Sequence, residues 1–413
     1  FWLKLWLNFD PLLPTASLSK CRATRNNMRA HMIGYVAPAL VFAFAALTLH
    51  GCGGDDKHPD QEKVVSGSGS WIYEFMPNLV NLPASEADND ENGHGLCRDL
   101  DNNIYFTFVP KTVTNTTQVL VRFSPDGSDA TLLGQPGPEG LAAGVPHGLR
   151  FEYDAKANQS FLYHSNNAAL VIKTTLEGKL VWKADLSDWN RTHPHFWPIR
   201  PTQAVVVPGT DILLVADGYG SSWVHAFNKT TGEFLENQSF GGKGNGTDPV
   251  QFNTPHGIKD DPRVPGSFVI SDRTNNRLVW VTATGKFLKA EVTSAVPGMS
   301  LPCNVDVHED KQAGNVSITP SLGKSYNNLT EGSAAIYASN GTVLSIIEVA
   351  KHIGHLGHQH PHDAIFLPNG DIVICCWSGP GTPGMGPAKG TISYWRRMLE
   401  KKSMNVEAEQ AIV

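Results

Sequence analysis

An all-β, six-bladed β-propeller is the fold this sequence predicts. Three observations carry the expectation. Strand-opening segments recur at intervals of 53, 55, 54, 47 and 59 residues, and a period near 50 with about four strands per unit is that of a propeller blade. Turn formers are abundant, with 39 Gly and 27 Pro, which suits many short strands better than long helices. A Pro-His pair opens three of the units at the same place.

The units open with "GHGLCRDLDNNIYFTF" (93–108), "PHGLRFEYDAKANQSFLYHS" (146–165) and "PTQAVVVPGTDILLVADGYG" (201–220). Then come "PHGIKDDPRVPGSFVISDRT" (255–274), "PCNVDVHEDKQAGNVSI" (302–318) and "PHDAIFLPNGDIVICCW" (361–377). Each starts with a short strand, takes a polar turn such as "PNGD" and enters a second strand. Several finish as strand, turn and strand, as in "VHAFNKTTGEFL" (224–235) and "LVWVTATGKFL" (278–288). The propeller is expected over 91–397, its last blade closed by strand material from 68–78 within an otherwise linker-like 55–90. The acidic "ASEADNDENG" (84–93) reads as a loop, and 398–413 as a charged, solvated tail. An irregular pair of β-sandwiches is the competing all-β arrangement.

Residues 1–54 read as leader sequence. The chain opens on Phe1, so the stretch ahead of Met28 is expected to be a fragment or untranslated sequence. From Met28 a basic residue, the apolar run "MIGYVAPALVFAFAALTL" (32–49) and small residues follow. That is the order of a secretory signal peptide, here 28–52. An uncleaved membrane anchor is the alternative, since a span takes about 20 apolar residues. Asn-X-Ser/Thr occurs nine times, at Asn115, Asn158, Asn190, Asn228, Asn237, Asn245, Asn315, Asn328 and Asn340. Chance pairing would give about three, so a glycosylated, secreted protein is expected. The competing reason is that Asn, Ser and Thr all crowd β-turns.

The formal net charge is −6 and only 17% of residues are charged. Nucleic-acid binding is not expected, because neutralising phosphates takes clustered Lys and Arg. Beyond the leader, Cys97, Cys303, Cys375 and Cys376 show no CxxC pattern. No cysteine zinc site is expected, and one or two disulfides are allowed. Neighbouring Cys375 and Cys376 would face opposite sides of a strand.

The equivalent opening position of the six units holds His94, His147, Gln203, His256, Asn304 and His362. The first strand of a propeller blade lies nearest the axis, so these side chains are expected around the central channel. Units two, four and six stand about 120° apart in a six-fold ring. His147, His256 and His362 are thus placed three-fold about the axis. Three converging imidazoles with a fourth position open make a catalytic type of zinc site. Proline ahead of each favours extended backbone, which helps aim the ring inward. His94 falls outside the three-fold set; it is expected to cap its strand, with contact to substrate as the alternative. The other histidines of "HIGHLGHQH" (352–360) are expected on a rim loop.

"FNTPHGI", "ADGYGSSWVHAF", "SDRTNNRLVWV" and "HPHDAIFLPNGDIVI" resemble the NHL-repeat propeller of peptidyl-α-hydroxyglycine α-amidating lyases, over about 146–377. The resemblance implies a lyase that splits a peptidyl-α-hydroxyglycine into the peptide amide and glyoxylate. It implies zinc on His147, His256 and His362. It also implies a structural calcium held by Asp363 and the backbone carbonyl of Leu149. Tyr219, of "DGY", falls on the family's general base, and Arg273, of "DR", on its carboxylate-binding arginine. A separate copper monooxygenase would supply the substrate. Three departures stand out: Gly220 replaces a disulfide cysteine, His360 replaces a methionine, and the family's first-blade arginine has only Arg98 to match it, in an uncertain register.

Tyr219 and Arg273 follow Asp217 and Asp272 at matching turns, and such turns often carry polar residues for structure alone. Two other functions compete with the lyase. One is another metal-dependent propeller hydrolase, whose ligands would be Glu, Asn and Asp around calcium. The other is a non-catalytic secreted NHL propeller that binds a partner through its loops.

Overall fold

The computed structural model describes residues 63–324, 330–377 and 391–398. The signal-like segment, the sequon at Asn328 and the tail beyond Met398 lie outside them. Among the described residues the strands form four four-stranded sheets and one nine-stranded sheet. The four-stranded sheets are antiparallel meanders in chain order, one each for repeats two to five. The nine-stranded sheet holds repeats one and six, joined through the single pair Trp377–Asn92. Each repeat therefore supplies one sheet or one half-sheet.

The first strands touch one another in sequence. Asp90–Arg98 meets Pro146–Asp154, which meets Gln203–Val206, which meets Pro255–Asp261. Gly257 lies against Cys303 and Asn304, just ahead of Asp306–Asp310. That strand meets His360–Phe366, which returns to Asp90–Arg98. Closure into a ring leaves few exposed edges, the propeller's way of avoiding edge-to-edge pairing.

Burial falls from the ring outward, and the sequence pattern follows it. The second strands are mostly buried, and Ser267–Asp272 (SFVISD) is buried at every position. Both of their faces meet a neighbouring sheet, so their middles carry apolar residues on both faces, as in Phe268, Val269 and Ile270. Outermost Phe287–Val292 (FLKAEV) alternates half-buried and exposed residues, as one wet face requires. The core is accordingly a set of slabs between adjacent sheets. Cys375 packs with Leu96, Phe106 and Phe108 on one side of its strand. Cys376 packs with Val316, Ile336 and Trp395 on the other. All four described cysteines are free and buried, so the disulfides allowed by sequence do not form among them.

The "PNGD" turn closes as expected, with the Gly370 N–H donating to the Leu367 carbonyl at 2.9 Å. Gly370 adopts φ 85°, a region that favours glycine. Ring closure uses Trp71–Phe75, which pairs with Ile392–Arg397 and carries a further strand, Val65–Ser68. Two local expectations change. Residues 84–93 begin with a helical turn, Ala84–Ala87, and are strand from Asp90. In repeat three the fourth strand is Phe240–Gly241, and the expected partner near 234 is only a Phe227–Phe234 bridge. Among described sequons, Asn115, Asn158, Asn190, Asn237, Asn245 and Asn340 are exposed, and Asn228 and Asn315 half-buried. No described helix is long and apolar enough to cross a membrane.

Candidate metal centre

Every histidine of the ring sits in a break of its strand ladder. Register shifts fall at Gly93/Gly95, Pro146/Leu149, Pro255/Ile258 and Pro361/Asp363. A bulge re-aims the side chain it carries, and proline contributes no N–H to the ladder there. Gly95 and Gly257, each next to a histidine, then let the following first strand approach. A Cβ on Gly95 would meet the Leu149 nitrogen at 2.7 Å, and one on Gly257 the Cys303 carbonyl at 2.7 Å.

The three predicted histidines come together. Ring centroids lie 5.0 Å apart for His147–His256, 4.8 Å for His147–His362 and 4.5 Å for His256–His362. The ring planes meet at 66°, 72° and 82°, edge to face. Each Nδ1 is held by an acceptor on the next first strand or just before it. His147 donates to the Thr202 carbonyl at 2.6 Å, His362 to the His94 carbonyl at 3.1 Å, and His256 to Asn304 Oδ1 at 3.3 Å. These acceptors place the proton on Nδ1 and leave each Nε2 with a lone pair. Nε2 of His147 and His362 is buried without a hydrogen-bond partner.

Burial pushes all three imidazoles well below their ordinary pKa, helped by His94 at His147, by Arg273 at His256 and by His256 at His362. Neutral imidazole is the form that binds metal. His94 corrects the sequence expectation, because it joins the cluster rather than capping a strand. Its ring stacks on His147 at 4.5 Å and 28°, and meets His362 at 4.6 Å. The signal was present: "GHG" at 93–95 matches "PHG" at 146–148. Ligand atoms within 4.8 Å of one another form two sets, His94–His147–His362 and His256–Cys303–His362. The expected trio is split between them, with His362 in both. Cys303 was not expected here at all; no spacing rule points to it. Burial pushes its thiol up to about 11.

Tyr219 and Arg273 reach the same point. The Tyr219 hydroxyl lies 3.0 Å from His256 Nε2, and its ring is edge-on to His147 at 5.2 Å. The Arg273 guanidinium stands 4.9 Å from the Tyr219 ring centroid and is buried. The turn-holding work falls to the aspartates before them. Asp217 accepts from Arg200 N at 2.5 Å and Ser221 N at 2.6 Å. Asp272 accepts from Asn253 N at 2.6 Å, Asn275 Nδ2 at 2.8 Å and Arg277 Nε at 2.7 Å. At Gly220 a Cβ would collide with the Asp217 carboxylate and the Pro198 carbonyl, so this turn has no room for a cysteine there.

Asp363 turns away from the imidazoles. Its Oδ2 accepts from Leu96 N at 2.9 Å and its Oδ1 from Ala364 N at 2.8 Å. Burial raises its pKa to about 7. It lines a small polar cavity with Gln203, Asn304, Asp306 and Arg150, and Lys259 pairs with Asp306 at 2.9 Å. Leu149 stands against Gly95 with its side chain in the core beside Cys97 and Tyr105. Arg98 bonds to Asn102 in a turn at 2.9 Å. His358 and His360 are buried rather than on a rim, and His360 stacks on Trp377 at 5.3 Å.

No family model matches the sequence. Similar solved structures include regucalcin, a calcium-binding protein from Agrobacterium tumefaciens, at 13% identity and a TM-score of 0.49, covering 78% of this chain and 93% of that one. Another is the WD40 β-propeller domain of Doa1, at 12% identity and a TM-score of 0.45, covering 82% of this chain and 90% of that one. The strand pairing itself settles the architecture: the chain is an all-β propeller with four buried histidines gathered in its channel.

Proposed function

We propose that this protein is a zinc-dependent lyase that cleaves peptidyl-α-hydroxyglycine to the peptide amide and glyoxylate. One observation carries the reading: three imidazoles with their Nδ1 atoms tied down stand ring against ring beside a tyrosine hydroxyl and a buried guanidinium.

The donors fit the metal, since His147, His256 and His362 are neutral, edge-on to one another, and oriented by fixed acceptors. Zinc, when bound there, supplies Lewis acidity toward an oxygen of the substrate. Nε2 of His256 has one lone pair, so Tyr219 must release it before the imidazole can serve as a donor. The Tyr219 oxygen, once it has given its own proton to solvent, takes the proton of the substrate hydroxyl. The oxygen lone pair then forms the aldehyde C=O of glyoxylate as the C–N bond breaks. The departing nitrogen recovers the proton from Tyr219 and becomes the peptide amide. Arg273 pairs with the carboxylate and holds the reacting carbon in place.

Calcium belongs to the same reading, as an ion held by carboxylate, amide and backbone oxygens near Asp363 and Leu149. A secretory location and a separate monooxygenase that makes the hydroxyglycine complete it, supported by the exposed sequons. An uncleaved anchor would instead tether the propeller to the lumenal face of a membrane.

The test is glyoxylate release from an α-hydroxyglycine-extended peptide by purified protein, before and after chelation and zinc restoration. Release lost with chelator, regained with zinc and absent in His256→Ala is the expected result. Tightly held zinc without release would redirect the search to another substrate. Neither metal nor release would leave a binding propeller.

A further inference from the structure

We propose that Cys303 is a metal ligand of this centre, giving the site a sulfur donor beside its imidazoles. The inference rests on the metal reading above and extends it. Sγ of Cys303 and ligand nitrogens of His256 and His362 all lie within 4.8 Å of one another. The three residues are buried, and Nε2 of His362 faces this space with no hydrogen-bond partner. Among the described residues the thiol makes only long contacts, to the Leu301 carbonyl at 3.7 Å and Arg273 Nη1 at 3.8 Å.

The backbone holds the sulfur in place. Cys303 N–H donates to the Pro320 carbonyl at 2.9 Å, and Pro302 bridges to Ser321. Gly257 brings the strand of His256 directly against the Cys303 carbonyl. The sulfur and the imidazole thus sit on directly abutting segments. His94 is the other extra candidate, grouped with His147 and His362; it would add a further imidazole to the site, whereas Cys303 adds a donor of a different kind.

Coordination would release the thiol proton to solvent and leave a thiolate on the ion. A mixed imidazole–thiolate set selects borderline and soft ions such as Zn²⁺, Co²⁺ and Cd²⁺ over hard Mg²⁺ or Ca²⁺. With His256 and His362 it would make a three-ligand set, leaving a fourth position for a substrate oxygen.

Cobalt(II) titrated into the metal-free protein tests this by absorption. Tetrahedral cobalt gives visible d–d bands, and a cobalt–thiolate bond adds a near-ultraviolet charge-transfer band. The expected result is both sets in the wild type and loss of only the near-ultraviolet band in Cys303→Ser and Cys303→Ala. Circular dichroism confirms that each variant is folded; should neither fold, the wild-type near-ultraviolet band and its loss in His256→Ala decide. Visible bands without the near-ultraviolet band in the wild type would overturn the sulfur ligand and leave the histidine site standing. Persistence of that band in folded Cys303→Ser would assign it to another thiol and overturn the proposal. No cobalt uptake at all would overturn both readings.

Discussion

The Tyr219 hydroxyl stands 3.0 Å from Nε2 of His256, a contact between the turn that ends one blade's second strand and the first strand of the next. Removing that oxygen while keeping the ring isolates its chemical role. Tyr219→Phe preserves the packing against His147 and Arg273. The predicted outcome is unchanged zinc content with glyoxylate release slowed about 10²–10⁴-fold, the range of a general acid–base group. A rate equal to wild type would take Tyr219 out of the mechanism.

The His-Gly pairing predicts a second effect. A methyl group on Gly257 would press on the Cys303 carbonyl and on Asn304 Cα, both at 2.7 Å. Gly257→Ala should push the fifth blade's first strand away and cost His256 its Asn304 acceptor. Zinc affinity is expected to fall about 10–100-fold, as for loss of an outer-shell partner. Competition against a chromophoric chelator measures it, and wild-type affinity would show the close approach to be dispensable.

His164, which lines a small cavity with His147 but is not one of the clustered histidines, predicts the direction of a pH effect. It is buried with Nε2 2.9 Å from Thr174 Oγ1, and burial lowers its pKa from 6.5 to about 3. Between those values the unfolded chain binds a proton that the folded chain refuses, so stability falls as pH drops below 6.5. At pH 5 the loss from this one group is roughly 2 kcal/mol. Urea midpoints at pH 7 and pH 5 should separate more for zinc-loaded wild type than for His164→Gln. Equal separations would show that His164 is protonated in the folded state.

Ring closure predicts a stability effect far from the site in sequence. Trp71 is buried edge-on to Phe366 at 6.3 Å, with the Arg397 guanidinium 3.7 Å over its ring. Trp71→Ala should cost about 3–5 kcal/mol, the range for a large buried aromatic. Chemical denaturation reads this directly; a loss below about 1 kcal/mol, small beside that range, would mean the closing strand adds little.

The repeat and its histidines were legible because they are local facts. Alternation, turn residues such as "PNGD" and a fixed interval report strands and their order, and Pro-His recurs at one register. From these alone a propeller and the trio His147, His256 and His362 follow. The four-residue match of "VHAF…EFL" to a strand pair did not survive, because Phe240 rather than Phe234 completes that sheet. Its outer strand depends on how the neighbouring blades leave the edge.

Ring closure decided the rest. It set His94 against His147 and His362, whose partners lie 53 and 268 residues away in the chain. It brought Cys303 to His256 and His362, gave Thr202, His94 and Asn304 their acceptor roles, and turned Asp363 toward Leu96. No periodicity within a blade encodes such pairs. They exist only because first strands of successive blades are pressed together when the ring shuts, and the distance between two side chains across that seam is a property of the packing.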